Sequence, residues 1–287
     1  MFKTITEAST QMGQVRMITI QLPQIRLGEL RVSRLIAGSN QISGFSHMSS
    51  ERSSQMLEYY TVDRIKEHLR DCEANGVTGL VARADRFIVR ILAEYWREGG
   101  RIQWIAQMAP EMLDPLANIK QAKQAGASAI FVHGGEVDRL YSQDNVDEIR
   151  KRVDLIKSLG LPAGAAAHEP RNLLDMQERG ISTDFFLVCM YNLTGYRGNA
   201  GAEPKEEFNF SDRAIALAAL KSLEKPCIAY KVMGAGRLSA EDGLADVARA
   251  LRPTDGVLIG MFPPDRPDIV SENVRRIWDL STVAAVA

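Results

Sequence analysis

Cysteine is scarce in this chain of 287 residues, and the three that occur are Cys72, Cys189 and Cys227. They are far apart and form no Cys-x-x-Cys pair, so the sequence argues against a disulfide framework. Isolated thiols are typical of proteins from a reducing compartment. We therefore expect a cytoplasmic protein.

The chain also lacks a charge imbalance and long apolar runs. Its formal net charge is -1, which gives no electrostatic reason to expect nucleic acid or an anionic membrane as a partner. No apolar run approaches the roughly 18 residues of a transmembrane helix. Segment 1–17 is polar, contains Glu7 and has no apolar core of a secretory signal. We expect a flexible tail at 1–17, one domain at 18–287 and a small-molecule substrate; a homo-oligomer is compatible with this sequence.

The sequence does contain a regular alternation of strand-like and helix-like segments. Short apolar runs alternate with amphipathic stretches, and eight such pairs in succession predict a closed (β/α)8 barrel, the TIM barrel. The predicted barrel strands are Leu35–Gly38, Gly79–Arg83, Ile102–Met108, Ala129–His133, 163–168, Phe185–Tyr191, Pro226–Val232 and Gly256–Met261.

Segments outside this alternation have separate predictions. Two short apolar runs, Ile18–Ile25 and Leu30–Val32, predict a β-hairpin before the barrel. The serine-rich stretch 40–60 is predicted to be a polar loop. The glycine-rich stretch 194–209 fits a lid over the barrel mouth, with Tyr196 and Arg197 as candidate substrate contacts, and fits a solvated, disordered loop equally well.

Two histidines end neighbouring predicted strands, His133 after strand four and His168 after strand five. Successive strands of such a barrel are parallel and adjacent, so both imidazoles should lie at the edge where barrel enzymes carry out chemistry. Two imidazoles there can divide acid and base roles or share a metal ion. His68 is predicted to lie on the polar face of the first barrel helix, and His47 is a reserve ligand in a loop of unknown course.

Charged residues end other predicted strands. Lys231 follows strand seven, where burial could prepare it for base or Schiff-base chemistry; an ion pair with Asp85 or Glu169 is the alternative. Arg83 and Asp85 end strand two and are candidates for catalysis or for orienting the substrate. Glu169 is better explained as an ordinary helix entry.

A glycine-rich turn follows strand seven. Gly234, Gly236 and Arg237 lie where many barrels bind phosphate through backbone amides, and the arginine adds a cation suited to phosphate or carboxylate. A tight turn between strand and helix explains the same glycines without any ligand.

Several segments resemble the aldo/keto reductase superfamily. The stretch 27–35 has Leu-Gly followed by Val-Ser-Arg-Leu, 229–238 reads Ala-Tyr-Lys-Val-Met-Gly-Ala-Gly-Arg-Leu, and Ile259-Gly260 is followed by Glu272-Asn273. This resemblance spans 27–280. It implies a hairpin that closes the barrel floor, a catalytic role for His133, and NADP binding in which Tyr230 stacks on nicotinamide.

The sequence also departs from that family's pattern. The segment that would hold the family's catalytic aspartate and tyrosine falls on 80–85 and has no tyrosine, and its lysine position falls near Ala106-Gln107. The serine and asparagine that hold the nicotinamide carboxamide fall on His168-Glu169, and a glutamine position falls near Val188. Hydride transfer needs a proton donor and a fixed nicotinamide, so this reaction is expected to be lost.

Three hypotheses follow for function. We favour a non-redox lyase, isomerase or hydrolase acting on a small polar substrate, sugar-like or anionic, by acid–base chemistry of His133, His168 and Lys231 or with a divalent metal. An NADP-dependent oxidoreductase that binds its cofactor through Tyr230, Gly236 and Arg237 is the alternative. A catalytically inactive ligand-binding barrel is the third.

Overall fold

Eight parallel strands form a closed barrel in a computed structural model of this chain, which describes residues 21–193 and 208–283. Each strand pairs with the next along the chain, and the last pairs with the first through Val257 opposite Leu35. The predicted (β/α)8 barrel is confirmed. Its strands are β3 (Leu35–Gly38), β4 (Gly79–Arg83), β5 (Gln103–Gln107), β6 (Ala129–Val132), β7 (Ala163–Ala167), β8 (Phe185–Cys189), β9 (Cys227–Tyr230) and β10 (Gly256–Ile259).

Helices cover the outside of this barrel, and polar side chains cap several of their first turns. Asp85, Asp114 and Ser239 each accept a backbone N–H at a helix start, as the N-cap preference for short polar residues requires. The helices are α1 (Ser50–Tyr59), α2 (Val62–Ala74), α3 (Arg86–Arg97), α4 (Pro115–Gln124), α5 (Gly134–Ser142), α6 (Asp147–Ser158), α7 (Pro170–Glu178), α8 (Phe210–Ser222), α9 (Ala240–Ala250) and α10 (Ile269–Val283).

A two-stranded hairpin closes the barrel floor, as the resemblance implied. It consists of β1 (Gln24–Leu27) and β2 (Leu30–Ser33), and its apolar face packs against inward-facing barrel residues. Gly256, the first residue of β10, makes this fit possible: a Cβ there would lie 2.7 Å from Ile25 Cδ1 and 3.0 Å from the carbonyl oxygen of Arg34. The hairpin therefore blocks this end of the barrel, and access to the barrel interior is from the opposite end.

Two local predictions were wrong. The stretch 40–60 contains helix α1, which Ser49 caps and which has no buried residue, so the apolar periodicity that marks a packed helix was missing. His68 is only 4% exposed, in contact with Cys72 and the Tyr60 ring, because α2 turns this residue toward the core.

A helix was also missed between strand four and the helix that carries Ile149 and Val153. Gly134 and Gly135 form the first turn of this helix, α5. Six of the eight barrel strands end one or two residues earlier than predicted, so His133 and His168 each lie immediately after a strand. The predicted tail at 1–17 and the predicted lid contacts Tyr196 and Arg197 fall outside the described residues.

None of the helices in the described residues is long and apolar enough to cross a membrane.

Candidate active site

A cavity of about 1040 Å³ opens at the carboxyl ends of the barrel strands. The strand-end residues Arg83, His133, His168 and Lys231 all line it, together with Tyr230. The structure therefore brings together residues that are up to 148 positions apart in sequence, from Arg83 to Lys231. This is the end of the barrel at which enzymes of this architecture place their chemistry.

The cavity has polar side chains at the strand ends and an apolar outer wall. The apolar part comes mainly from the loop and helix after β3 and from the start of α3: Ile42, Phe45, Met48, Met56, Leu57 and Phe87. Phe45, Met48 and Leu57 are 45%, 56% and 62% exposed, although they are large apolar side chains. A cavity of this size and composition suits a ligand larger and more apolar than a triose sugar.

His133 is held as a neutral hydrogen-bond donor. Its Nδ1 accepts the backbone N–H of Gly135 at 3.0 Å, which makes the side chain the N-cap of α5. Since Nδ1 accepts, the ring proton lies on Nε2. Burial is the main cause that lowers the pKa of His133 to about 4, and the neighbouring His168, Arg83 and Lys231 lower it further, since each disfavours a second positive charge beside it. At neutral pH this side chain donates from Nε2 and carries no charge.

His168 has the opposite arrangement. Its Nδ1 lies 3.0 Å from Oδ2 of Asp138, and an ionised carboxylate can only accept, so the proton is on Nδ1 and Nε2 carries a lone pair. Asp138 is nearly buried, with 6% of its side chain exposed, and it also accepts the backbone N–H of His168 at 3.0 Å and the Asn172 side-chain amide at 2.9 Å. His168 is therefore oriented as a proton acceptor, by a carboxylate held on several sides.

Sequence reasoning missed Asp138. The residue comes from α5, the helix that was not predicted, and it lies next to Val137 in a segment without a recognisable motif. A helix starting directly after a strand-end histidine would have been the signal, since its first turns must face the barrel mouth.

Tyr230 lies beside His168. The two ring centroids are 6.2 Å apart in an edge-on arrangement, and the phenol donates to the carbonyl oxygen of Ala167 at 3.4 Å. Burial, with Cys189 and Asp138 nearby, raises the pKa of Tyr230 well above its ordinary value. A Cβ added to Gly134 would lie 3.2 Å from Tyr230 Oη and 3.4 Å from His168 Cε1. The first residue of α5, the Tyr230 phenol and the His168 ring therefore pack against one another.

Arg83 is fixed by two carboxylates. Its guanidinium bonds to Glu111, and its Nε lies 3.5 Å from Asp85. Asp85 also accepts the backbone N–H of Ile88 at 2.9 Å and so caps α3. Asp85 thus has a structural role in addition to the catalytic one predicted for it. Arg83 lines the cavity as an oriented cation.

Lys231 contacts a histidine and neither of the carboxylates named as its alternative partners. Its Nζ lies 2.7 Å from His47 Nε2, whereas Asp85 pairs with Arg83 and the carboxylate of Glu169 accepts from Asn192 at 2.9 Å. Glu169 is the N-cap of α7, which confirms the helix-entry interpretation. The reserve residue His47 therefore belongs to the same cavity as the strand-end histidines.

The glycine-rich turn after β9 is fixed by Arg237. Its guanidinium stacks on the Phe208 ring at 3.8 Å and donates to the carbonyl oxygens of Gly234 at 3.1 Å and His47 at 3.2 Å. Gly234 and Gly236 have φ values of 57° and 95°, which supports the tight-turn interpretation. The predicted role of Arg237 in holding a cofactor phosphate stays a prediction.

The predicted metal site has two candidate nitrogen ligands. Nδ1 of His133 and Nδ1 of His168 are both engaged with protein atoms, which leaves one Nε2 on each ring. Within residues 21–193 and 208–283 no group of three or more His, Cys, Asp or Glu side chains is arranged to hold a metal ion. The donor set therefore lacks the third protein ligand usual for a catalytic zinc site.

Two histidines, the buried His68 and the partly buried His133, make stability depend on pH. Burial lowers the pKa of both His68 and His133 from 6.5 to about 4, so the unfolded chain takes up protons first as the pH falls. Stability present at pH 7.5 is lost through the window from about 6.5 down to about 4. We expect each histidine to cost about 2 kcal/mol of unfolding free energy between pH 7.5 and pH 5.

Urea denaturation at the two pH values measures this loss. The variant His68→Leu removes one titrating group and should lose about half of the pH dependence. An unfolding free energy that is the same at pH 5 and pH 7.5 would contradict the expectation.

No protein-family model matches the chain, and no curated protein sequence does. Similar solved structures exist. One is a Pseudomonas aeruginosa protein provisionally described as an aldo-keto reductase, with 14% identity and a TM-score of 0.60 over 92% of this chain and 98% of that one. Another is a Coccidioides immitis protein provisionally described as a deoxyribose-phosphate aldolase, with 12% identity and a TM-score of 0.52 over 91% of each chain. At these identities the likeness shows the barrel fold.

Proposed function

We propose that this barrel is a distant relative of the aldo/keto reductases that catalyses a non-redox reaction: proton transfer at the carbon next to a carbonyl group, as in an isomerase or lyase. The observation that carries the proposal is the opposite hydrogen bonding of the two strand-end histidines. His168 offers a lone pair at Nε2, with Asp138 behind it, and His133 offers an Nε2–H. A base and a neutral donor are the two groups that enolisation needs.

The roles follow from charge. His168 takes the proton from carbon, and the imidazolium that forms is stabilised by the buried carboxylate of Asp138. His133 donates to the carbonyl oxygen, on which negative charge develops. Its pKa of about 4 keeps it neutral at neutral pH, so it donates a hydrogen bond to the oxygen without transferring a proton to the bound substrate. Arg83 adds a fixed positive charge in the same cavity.

The proposed substrate has a polar carbonyl end and an apolar remainder. The polar end suits the strand-end side chains of the two histidines and Arg83, and the apolar remainder suits the wall that includes Phe45 and Leu57. The proposed substrate is therefore larger than the small polar molecule expected from the sequence, because the cavity of about 1040 Å³ is much larger than such a molecule.

A deuterium-exchange experiment tests the proposal. The protein is incubated in D₂O with pyruvate or with 2-oxo-4-phenylbutanoate, two 2-oxo acids that share the reacting group and differ in an aryl tail. Loss of the C3 proton signal is followed by NMR. We expect exchange above the buffer rate with both, and about tenfold faster exchange with the aryl probe, because a buried aryl group contributes more than 1.4 kcal/mol.

The variant His133→Asn tests the role of the donor, because it keeps a polar side chain at the start of α5 but removes the Nε2–H. It should lower the exchange rate by about 10²-fold, the usual effect of losing one oxyanion donor. Exchange at the buffer rate with both probes would overturn the proposal. So would tight binding of NADPH, followed by quenching of tryptophan and tyrosine fluorescence, with reduction of either probe.

A further inference from the structure

Lys231 has an unusual backbone for a residue in the cavity wall. It immediately follows β9 and adopts φ +56°, in the left-handed region that residues other than glycine rarely occupy. Such a conformation is strained and persists where surrounding contacts enforce it. Here the carbonyl oxygen of Lys231 accepts the N–H of Gly234 at 2.8 Å, and that of Val232 accepts from Arg213 at 2.7 Å.

This turn presents the amine to an imidazole. Lys231 Nζ lies 2.7 Å from His47 Nε2 and 3.4 Å from Nδ1. An ammonium group can donate to a neutral imidazole at this distance, and the imidazole is a base that can take the proton.

His47 itself is held in place from three sides. Asn40 Nδ2 lies 3.2 Å from His47 Nε2, the Phe45 ring lies edge-on to the imidazole at 4.9 Å, and Arg237 donates to the backbone carbonyl of His47 at 3.2 Å. The contact between the Lys231 amine and the His47 ring therefore connects the turn after β9 to the loop after β3.

We propose that Lys231 forms a covalent imine with the carbonyl carbon of the substrate and that His47 accepts the ammonium proton beforehand. The proposal rests on the proposed function, since it assigns the same substrate carbonyl. The neutral amine attacks the carbonyl carbon, and one proton moves from the nitrogen to the oxygen to give a carbinolamine. The protonated His47 then returns its proton to this hydroxyl group, which leaves as water while the nitrogen lone pair forms the C=N bond, so a protonated imine remains. No oxidant or reductant is consumed.

The imine would assist the proton transfer assigned to His168. A protonated imine withdraws electrons from the neighbouring carbon more strongly than a neutral carbonyl, so the C–H bond that His168 attacks becomes more acidic. On this route the carbonyl oxygen leaves as water before the proton transfer, so His133 donates to that oxygen while the amine attacks the carbonyl carbon. Lys231, His133 and His168 follow β9, β6 and β7 and line one cavity, so a single substrate can reach all three.

Borohydride trapping tests this inference. The protein is treated with 2-oxo-4-phenylbutanoate and sodium borohydride, which reduces an imine to a stable secondary amine. We expect one adduct per chain, with a mass increase equal to that of the probe acid minus one oxygen atom, on the peptide that contains Lys231. Lys231→Arg keeps the positive charge and should give no adduct there, whereas Lys157→Arg, at a partly exposed lysine 39% accessible, should label normally.

The role of His47 has its own readout. His47→Ala should slow adduct formation by about 10²-fold near neutral pH, and raising the pH should restore much of the rate because hydroxide then deprotonates the amine. A merely structural histidine would slow labelling equally at all pH values.

The outcomes distinguish the two proposals. Deuterium exchange without an adduct at Lys231, or exchange that survives in Lys231→Arg, overturns the imine and leaves proton transfer by His168 in place. An adduct at Lys231 without any acceleration of exchange supports the imine and overturns the proposed function. Equal labelling of many lysines also overturns the imine proposal, because it indicates that the probe reacts with lysines non-specifically.

Discussion

Replacing Asp138 by asparagine is expected to slow deuterium exchange of 2-oxo-4-phenylbutanoate by about 10²- to 10⁴-fold, the usual contribution of a general base. The amide can donate to His168 Nδ1, so the ring proton moves to Nε2 and the lone pair that faces the substrate is lost. NMR exchange rates of wild type and variant at pH 7.5 measure the effect.

Two further variants make this result specific. His168→Gln should lower the rate to a similar level, and the double variant should be no slower than either single one, since both changes disable the same base. Circular dichroism and the thermal midpoint identify any loss of fold. A wild-type rate in folded Asp138→Asn would show that the carboxylate does not act through His168.

The variant Asp255→Asn is expected to lower the free energy of unfolding by about 3 kcal/mol, within the range for breaking a buried ion pair. Asp255 is fully buried and accepts from the Arg252 guanidinium at 2.8 and 2.9 Å and from the backbone N–H of Cys227 at 2.9 Å. These bonds join the start of β9 to the start of β10. The substitution removes the charge and directs amide hydrogens at donors.

Glu241→Gln is the matched control. Its carboxylate also pairs with an arginine, Arg276 at 3.1 Å, but 70% of the Glu241 side chain is exposed, so the loss should be much smaller than in Asp255→Asn. Urea denaturation at pH 7.5 compares the two. Because Asp255 lies at the barrel end opposite the cavity, folded Asp255→Asn should keep the wild-type exchange rate. Equal losses in both variants would contradict the burial argument.

The order of strands and helices could be predicted from sequence because it depends on local patterns. Short apolar runs such as 129–132 are buried on both faces, and they alternate with helices that begin at cap residues such as Asp85 and Ser239. A chain of parallel strands joined by helices closes in few ways. The same reasoning placed His133, His168 and Lys231 at one edge of the sheet.

The chemical state of those side chains depended on contacts between distant residues. Asp138 lies 30 positions from His168, and His47 lies 184 positions from Lys231, so no spacing in the sequence indicated either pair. A histidine has two ring nitrogens, and which of them carries the proton is set by whatever the other one contacts. Sequence by itself determined a barrel with two histidines at its mouth; only the tertiary structure decided that one is a donor and the other an acceptor, because partners from α5 fix the two Nδ1 atoms in opposite ways.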